Sequence, residues 1–348
     1  MAQVLSTDIA SALAQDFPEC YSTIFRHFVL AQIIPVRPGA GKNDSFDVRF
    51  RSTQAARNAT EGQDVTTYVA DTFVPATGVW AEYDAAIKIT GLATAIASSS
   101  GGTASEVKEL RREALVAALS EIAVLMRADA YSGVSTSPQS LTGLYGGTTV
   151  GALGSTGTYY NINRGGAAPL PNWAGNVLRN GGVTRKISPK LLDSALTAVF
   201  DVRGTMPNVM VTTSAICDSL RDTMNVQYTQ EITVGGREIK LMAGYRAMVY
   251  QGIPIIRDPG CTASTLFGLD TDQISFRQLA QENDPFVQAA RMTLLAQGTK
   301  DFPAGTVPFT ALVQPISRGG DYARSQVTWK GALRVHDPAS HFVLGDLS

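Results

Sequence analysis

Residues 44–51 read DSFDVRFR and residues 79–90 read VWAEYDAAIKIT. In the first stretch Phe46, Val48 and Phe50 alternate with polar residues, and the second stretch alternates apolar and polar residues in the same way. Alternation with a period of two predicts half-buried β-strands. We therefore predict a two-stranded ribbon whose apolar face has no helix or third strand to cover it. Such a ribbon is marginally stable in water, so we expect it to be an arm held by another molecule.

The composition of the 348-residue chain limits the kinds of partner it has. Its formal net charge is -1, and 17% of its residues are charged, against roughly 25% in a typical globular protein. A surface poor in charge suits a protein that covers much of its exterior with copies of itself, although a slightly alanine-rich enzyme fits equally well. Because the sequence has no run of Lys and Arg, direct and tight binding of nucleic acid is not expected.

Cysteine usage and the N-terminus indicate the compartment. Cys20, Cys217 and Cys261 are odd in number and far apart, so they predict neither a disulfide framework nor a metal cluster. We expect reduced thiols in a cytosolic setting. The N-terminus lacks the basic start and unbroken apolar run of a secretory signal, and no apolar run approaches the ~18 residues that a bilayer span needs. We expect neither secretion through a signal peptide nor a membrane span.

Residues 1–35 are predicted to form two short helices. The second gathers apolar side chains on one face, the pattern of an amphipathic helix: Tyr21, Ile24, Phe25, Phe28 and Val29. Its polar face offers only Arg26 and His27 as cations, which favours a protein partner over a membrane surface. A link rich in Pro and Gly follows, and Gly39 and Gly41 are candidate hinges at the root of the ribbon.

The strongest helix pattern runs from Ala104 to about Tyr131. A capping box stands at its start, and apolar residues recur at intervals of three and four along it. At 1.5 Å per residue the helix is roughly 40 Å long. The break before it contains Gly101 and Gly102, which are candidate hinges as well.

The remainder of the chain divides into a loop-rich part and a part that is predicted to contain both helices and strands. Segment 141–184 is dense in Gly and aromatic residues, which indicates a functional loop or one ordered by a neighbour. The following unit is predicted to contain helices starting at Ser188 and Ser214, strands at Val209–Thr212 and Leu266–Leu269, and hairpins turning at Gly235-Gly236 and Gln251-Gly252. The last alternating stretch, 326–336, predicts a strand that pairs with an earlier one beneath the long helix.

Motifs for catalysis and cofactor binding are incomplete in this sequence. Residues 38–43, PGAGKN, look like a phosphate-binding loop but lack its first Gly and the hydroxyl residue after Lys42. The three histidines, His27, His336 and His341, do not have zinc-ligand spacing, and no Gly-x-Ser-x-Gly elbow is present. We therefore predict no catalytic residues, no cofactor and no metal. A soluble enzyme with a lid-like ribbon remains the alternative from another class.

One stretch suggests a family. Residues 250–258 read YQGIPIIRD, and a predicted strand at 266–269 followed by Asp270 comes next. This stretch resembles the Tyr-x-Gly-x-Pro-Ile-Ile-x-Asp segment of major capsid proteins of tailed double-stranded DNA bacteriophages. The stretch from Arg164 to Trp173 is similar to an Arg-then-Trp segment in some relatives. The order of parts also resembles that family: an N-terminal arm, an extended ribbon, a long helix, a central unit and a returning strand.

The resemblance implies an α+β chain with the Hong Kong 97-like capsid fold. Its parts would be an N-terminal arm (1–35), an E-loop hairpin (36–97), a peripheral domain with the spine helix (98–183), an axial domain (184–316) and a return strand completing the peripheral domain (317–348). The chain would assemble as hexamers and pentamers in an icosahedral shell around double-stranded DNA, in the bacterial host cytoplasm. A scaffold protein, a portal and decoration proteins are the implied partners.

Six residues are predicted to contact other subunits: Phe25 and Phe28 in the arm, and Phe46, Phe50, Trp80 and Tyr83 in the ribbon. The alternative is that they belong to the core of their own subunit, and it stays open in particular for Tyr83 near the ribbon's root.

Two features depart from the family. No long acidic scaffolding region precedes the arm, so a separate scaffold protein, or prior removal of such a region, is expected. The Lys and Asn that form covalent crosslinks in some relatives cannot be assigned, and Lys42 is only a nominal candidate. A bacterial encapsulin nanocompartment, which shares the fold but encloses an enzyme cargo, remains the alternative among shell proteins.

Overall fold

The computed structural model describes residues 29–51, 71–90, 104–132, 140–145, 151–164, 173–223, 227–229, 231–234, 237–240, 247–279, 312–316 and 322–348. The described helices are α1 (Val29–Ile33), α2 (Ala104–Ser132), α3 (Pro189–Arg203) and α4 (Ser214–Thr223), with a 3-10 turn at Pro338–Ser340. None of them is long and apolar enough to cross a membrane. The predicted long helix is confirmed as α2.

The described strands follow in chain order: β1 (Val36–Gly39), β2 (Asp44–Arg51), β3 (Asp71–Gly78), β4 (Ala81–Thr90), β5 (Thr158–Tyr159), β6 (Ile162–Asn163), β7 (Asn176–Leu178), β8 (Val209–Thr212), β9 (Gln227–Thr229), β10 (Glu231–Val234), β11 (Arg237–Lys240), β12 (Ala247–Tyr250), β13 (Ile253–Arg257), β14 (Leu266–Leu269), β15 (Ile274–Leu279), β16 (Leu312–Ile316), β17 (Tyr322–Val335) and β18 (Phe342–Leu344). Strands and helices together make the fold α+β, as predicted.

A five-stranded sheet forms around β17. On one side β4 runs antiparallel to residues 322–331 of β17, and on the other side β16 and β15 pair with successive halves of the strand. β1 extends the sheet by pairing in parallel with β15. Helix α2 packs across β4 and β17. The prediction that the last long strand pairs with an earlier one beneath the long helix is confirmed.

The ribbon differs from its prediction. β2 pairs antiparallel with β3, not with the predicted second limb at 79–90. That limb supplies β4 to the five-stranded sheet, where Ala81, Tyr83 and Ile87 are buried and α2 covers the strand. The prediction was wrong because a period of two identifies the faces of a strand but not its partner. β3 has a weak strand pattern, since Pro75 interrupts it.

A second sheet has seven strands in the order β7-β18-β14-β8-β13-β12-β9. Its helices α3 and α4 pack on β18, β7 and β13. α3 begins as predicted at Ser188, whose side chain accepts a hydrogen bond from the backbone N–H of Leu191, and it ends at Gly204 with a φ of 70°. The predicted strands at 209–212 and 266–269 are confirmed as β8 and β14, and strands pair on both sides of each predicted hairpin turn.

The seven-stranded sheet is buried on both faces. Val211 and Phe267 face a core shared with α2 and the five-stranded sheet, whereas Met210 and Leu266 face a second core with α3 and α4. Burial on both faces explains why these short strands are continuously apolar.

Sheet membership crosses the predicted domain division. β15, inside the range 184–316, belongs to the five-stranded sheet, and β18, inside the range 317–348, belongs to the seven-stranded sheet. The chain therefore crosses from one sheet to the other within both of these predicted ranges. The five-part division itself stays a prediction.

Candidate functional site: the root of the ribbon

The root of the ribbon, where β2 and β3 meet the rest of the subunit, rests on its own chain. Phe46, Val48, Val74 and Ala76 lie on one face of the pair and belong to, or pack against, the main hydrophobic core. The opposite face carries Phe73, whose side chain is 58% exposed. Among the described strands β2 and β3 pair only with each other. The ribbon is thus a separate two-stranded sheet attached by one face.

A buried charge cluster anchors the first residue of the ribbon. Asp44 accepts hydrogen bonds from Nε of Arg334 at 2.9 Å and from the hydroxyl of Tyr160 at 2.7 Å, and Nη2 of Arg334 donates to its other oxygen. Arg277 lies 3.9 Å from the same carboxylate. Because Arg334 is on β17 and Tyr160 follows β5, a single carboxylate joins the ribbon, the five-stranded sheet and the Gly-rich segment. Removing one member of such a pair would leave a buried charge uncompensated.

Phe46 packs beside this cluster. The guanidinium carbon of Arg334 lies 4.9 Å from its ring centroid, and the rings of Tyr160 and His336 meet it edge-on at 5.4 and 5.1 Å. Burial, followed by repulsion from Arg334, lowers the pKa of His336 to about 4, so this ring is neutral at pH 7. Phe46, predicted to contact a neighbouring subunit, therefore makes its described contacts within its own subunit.

Trp80 closes the other side of the root. Its indole Nε1 donates to the carbonyl oxygen of Gly41 at 3.1 Å, and its ring lies over Gly39. A Cβ added at Gly39 would also meet the carbonyl oxygen of Gln278 at 3.1 Å. Gly39 therefore allows the ring of Trp80 and the carbonyl oxygen of Gln278 to lie close to its Cα. Gly41 has a φ of 93°, a backbone conformation that favours glycine. The predicted hinge roles of both glycines stay predictions.

Tyr83 is a core residue of its own subunit. Its hydroxyl donates to Asp129 at 2.5 Å and accepts from the backbone N–H of Leu141 at 2.9 Å, while its ring packs 5.9 Å from that of Trp329. Burial and the bond to Asp129 raise the pKa of Tyr83 far above its usual value. The contacts join β4 to α2 and to the loop after it, and the predicted role of Tyr83 at a subunit interface stays a prediction.

Several predicted residues cannot be placed. Phe25, Phe28, Gly101 and Gly102 lie outside the described residues, and for Phe50 only the backbone, in β2, is described. Their predicted roles as subunit contacts and hinges stay predictions.

A second junction centres on Asp258, the last residue of the stretch that carries the family resemblance. Asp258 is buried and accepts from the hydroxyl of Tyr131 at 2.7 Å and from the backbone N–H of Gly260 at 2.7 Å, with a further backbone hydrogen bond from Leu30. Burial raises the pKa of its carboxyl, and these hydrogen bonds oppose the rise. Asp258 therefore joins α1, the end of α2 and the seven-stranded sheet.

Arg164 organises the Gly-rich segment from inside. Its guanidinium group lies 5.5 Å from the ring centroid of Tyr159 and donates to four backbone carbonyl oxygens, those of Gly151, Ala152, Thr156 and Gly157. Burial lowers the pKa of Arg164 to about 10. Trp173 then donates from Nε1 to the carbonyl oxygen of His336 at 2.9 Å. The described part of this segment is therefore ordered by its own chain, a third possibility besides a functional loop and one ordered by a neighbour.

The chemistry of these clusters is structural. Within the described part of the chain no group of three or more His, Cys, Asp and Glu side chains could hold a metal ion. The Asp44 and Asp258 clusters join elements that are distant in sequence, whereas Arg164 orders its own segment. The Asp44 cluster holds the first residue of the ribbon against β17.

Comparison with known proteins gives the class of the fold. No protein-family model matches the chain, and no curated protein matches it. Among solved structures, the capsid asymmetric unit of cyanophage A-1(L) superposes with a TM-score of 0.61 at 17% identity and covers 92% of each chain. The structure of Mycobacterium phage Patience gives a TM-score of 0.54 at 12% identity, over 97% of this chain and 88% of the other.

An encapsulin has the same fold. The holo-SrpI encapsulin complex from Synechococcus elongatus PCC 7942 gives a TM-score of 0.51 at 11% identity, over 92% of this chain and 87% of the other. The chain thus has the Hong Kong 97-type fold of phage capsid proteins, as the resemblance in the sequence implied. At these identities the likeness establishes the fold alone.

Proposed function

We propose that this chain is the major capsid protein of a tailed double-stranded DNA bacteriophage and that it self-assembles into the icosahedral head. The observation that carries the proposal is the superposition on the cyanophage capsid subunit over 92% of both chains, at a TM-score of 0.61. The role is structural, not catalytic.

The ribbon supplies the physical reason for assembly. It is a separate two-stranded sheet with a covered inner face, a buried ionic anchor at its first residue, and Phe73 exposed on its outer face. A ribbon that lies over a neighbouring subunit buries apolar area worth ~25 cal/mol per Å². Heterologous contacts of this kind close into rings, which here would be the hexamers and pentamers of the shell.

The remaining partners follow from the same proposal. The shell encloses the genome without sequence-specific binding, which agrees with a net charge of -1. A scaffold protein acts during assembly in the bacterial host cytoplasm, and a portal occupies one vertex. The mature protein then resides in the virion capsid.

An encapsulin-type compartment is the second candidate, because the SrpI complex shares the fold at a TM-score of 0.51. The contents of particles isolated from the producing cells distinguish the two functions. Nuclease-resistant DNA inside the particles supports the capsid, whereas an enzyme enclosed without DNA supports the encapsulin.

Electron microscopy and light scattering of the purified full-length protein test the proposal. Hollow particles are expected, and a protein that stays monomeric at every concentration and in every buffer overturns it. Phe73→Glu places a charge on the outer face of the ribbon and is expected to lower the particle yield about tenfold or more, since one central apolar contact contributes that much. Val183→Glu changes a side chain that is 65% exposed in a loop and serves as the matched control.

A further inference from the structure

Two arginines stand directly opposite each other at the edge of the five-stranded sheet. In the parallel pair of β1 and β15, Arg37 is the register partner of Arg277, so both side chains leave the same face of the sheet. Arg37 is exposed, and the side chain of Arg277 is 22% exposed. Because neighbouring strands lie about 4.8 Å apart, two like charges in this position repel each other.

A third arginine adds to the positive charge. Arg334 on β17 is the register partner of Ser275, two residues from Arg277 on the same face of β15. Within the described part of the chain, Asp44 is the only acidic group that forms an ion pair with any of the three arginines, and Arg334 already donates to both of its oxygens. Three guanidinium groups beside one carboxylate leave two positive charges without a counter-charge.

Arg277 shows this lack of counter-charge directly. Its Nε is buried and has no hydrogen-bond partner among the described residues, and the 3.9 Å to the nearest oxygen of Asp44 is too long for a hydrogen bond. Burial, followed by repulsion from Arg334 and from Arg37, lowers the pKa of Arg277. Three other arginines each have an aspartate within 3.3 Å: Arg179, Arg203 and Arg257.

The loop after β1 adds another cation. Residues 38–43, PGAGKN, look like a phosphate-binding loop without the hydroxyl residue that would hold magnesium. The loop follows Arg37 directly and leads to Asp44, so the incomplete motif lies beside the arginines. Lys42 within it is exposed and has no ion pair with an acidic group of the described chain. The motif therefore retains its basic residue for a phosphate group but not its ligand for a metal.

The number of oxygen atoms that two guanidinium groups can bind selects the ligand. Each guanidinium presents a fork of N–H donors that bonds two oxygens at once, so a carboxylate satisfies only one fork. A phosphate or sulfate ion has four oxygens in a tetrahedral arrangement and carries up to two negative charges. Both properties match a pair of arginines with two uncompensated charges.

We propose that Arg37 and Arg277 bind a small tetrahedral oxyanion of the phosphate class between their guanidinium groups, with Lys42 as a third cation of the site. The bound ion would supply the missing negative charge at the root of the ribbon, beside the pair of Asp44 and Arg334. This inference goes beyond the proposed function and does not depend on it, because every residue of the site belongs to one chain.

Calorimetric titration of the purified, unassembled full-length protein with sodium phosphate tests the site, with sodium chloride used to hold the ionic strength constant. We expect saturable binding of one phosphate per subunit. Arg37→Gln is expected to weaken the affinity about tenfold or more, since a charge-assisted hydrogen bond contributes at least that much. Lys190→Gln removes an exposed cation from α3 and is the control matched in charge. The absence of saturable binding, or equal affinity in the two variants, overturns the proposal.

Urea unfolding separates ion binding from a general effect on structure. In chloride, Arg37→Gln should unfold at the same urea concentration as the wild type or a higher one, because the substitution removes the repulsion from Arg277. In phosphate at equal ionic strength, the wild type and Lys190→Gln should become more stable, as expected for a ligand that binds only the folded state, and Arg37→Gln should not. Equal stabilisation of all three proteins by phosphate overturns the proposal, and particle formation is scored separately on the same samples.

Discussion

Nε of Arg334 lies 2.9 Å from a carboxylate oxygen of Asp44, although 290 positions separate the two residues in the chain. The pair joins the first residue of β2 to β17, the central strand of the five-stranded sheet. Both side chains are almost completely buried, and Tyr160 completes the cluster. The direction of the ribbon is therefore set by an ion pair that is protected from solvent.

Asp44→Ala is expected to lower the free energy of unfolding by about 3–5 kcal/mol, because it leaves the guanidinium of Arg334 buried without its partner. Urea unfolding of the unassembled subunit measures the change. Asp84→Ala, on the exposed side of β4, is the control and should change stability by less than about 1 kcal/mol. A loss at Asp44 no larger than in the control would contradict a role for the cluster as an anchor.

Stability is expected to depend on pH through His341. This residue is fully buried, and burial lowers its pKa to about 3, whereas a histidine in the unfolded chain titrates near pH 6.5. Between these values the unfolded state binds more protons than the folded state. The free energy of unfolding therefore falls as the pH drops below 6.5, by about 1.4 kcal/mol per pH unit for one such group.

His341→Asn separates this titration from packing. Nδ1 of His341 accepts a hydrogen bond from the backbone N–H of Asp270 at 3.0 Å, and the Asn oxygen can take its place without titrating. Urea unfolding at several pH values from about 6 to about 4 should give a flatter slope for the variant. Some slope should remain, because His336, with its pKa lowered to about 4, still contributes. An unchanged slope would rule out His341 as the source.

Arg164→Lys is expected to loosen the Gly-rich segment. A Lys ammonium cannot reach the four carbonyl oxygens that the planar guanidinium of Arg164 contacts, so we expect a loss of about 2–3 kcal/mol. Hydrogen exchange measured by mass spectrometry should become faster over residues 151–164. Arg221→Lys, in an exposed ion pair on α4, should have no such effect. Unchanged exchange in the segment would show that the four hydrogen bonds do not hold it.

Local patterns in the sequence predict the helices and many strands well. α2 and α3 begin where capping residues predict them, because capping depends on neighbouring residues alone. The partner of β4 could not be predicted in this way, since alternation records which residues are buried and not which strand is adjacent. The pairing of Asp44 with Arg334 has no local signal at all, because the two residues are 290 positions apart and meet only through the tertiary fold.

Predicting the candidate site from aromatic residues had the same limit. Phe46 and Tyr83 were expected at a subunit interface because the ribbon was expected to be bare. The structure covers both with elements that come much later in the chain, β17 for Tyr83 and His336 for Phe46. A large apolar residue on a strand shows that something covers it, and the sequence alone does not tell which chain provides the cover.

The position of β17 and β18 in the two sheets has a consequence for synthesis on the ribosome. β17 lies between β4 and the β15–β16 side of one sheet, and β18 lies between β7 and β14 of the other. Both sheets therefore lack an internal strand until translation reaches residue 344. Because residues of β18 belong to both hydrophobic cores, neither core is complete in a nascent chain before that point.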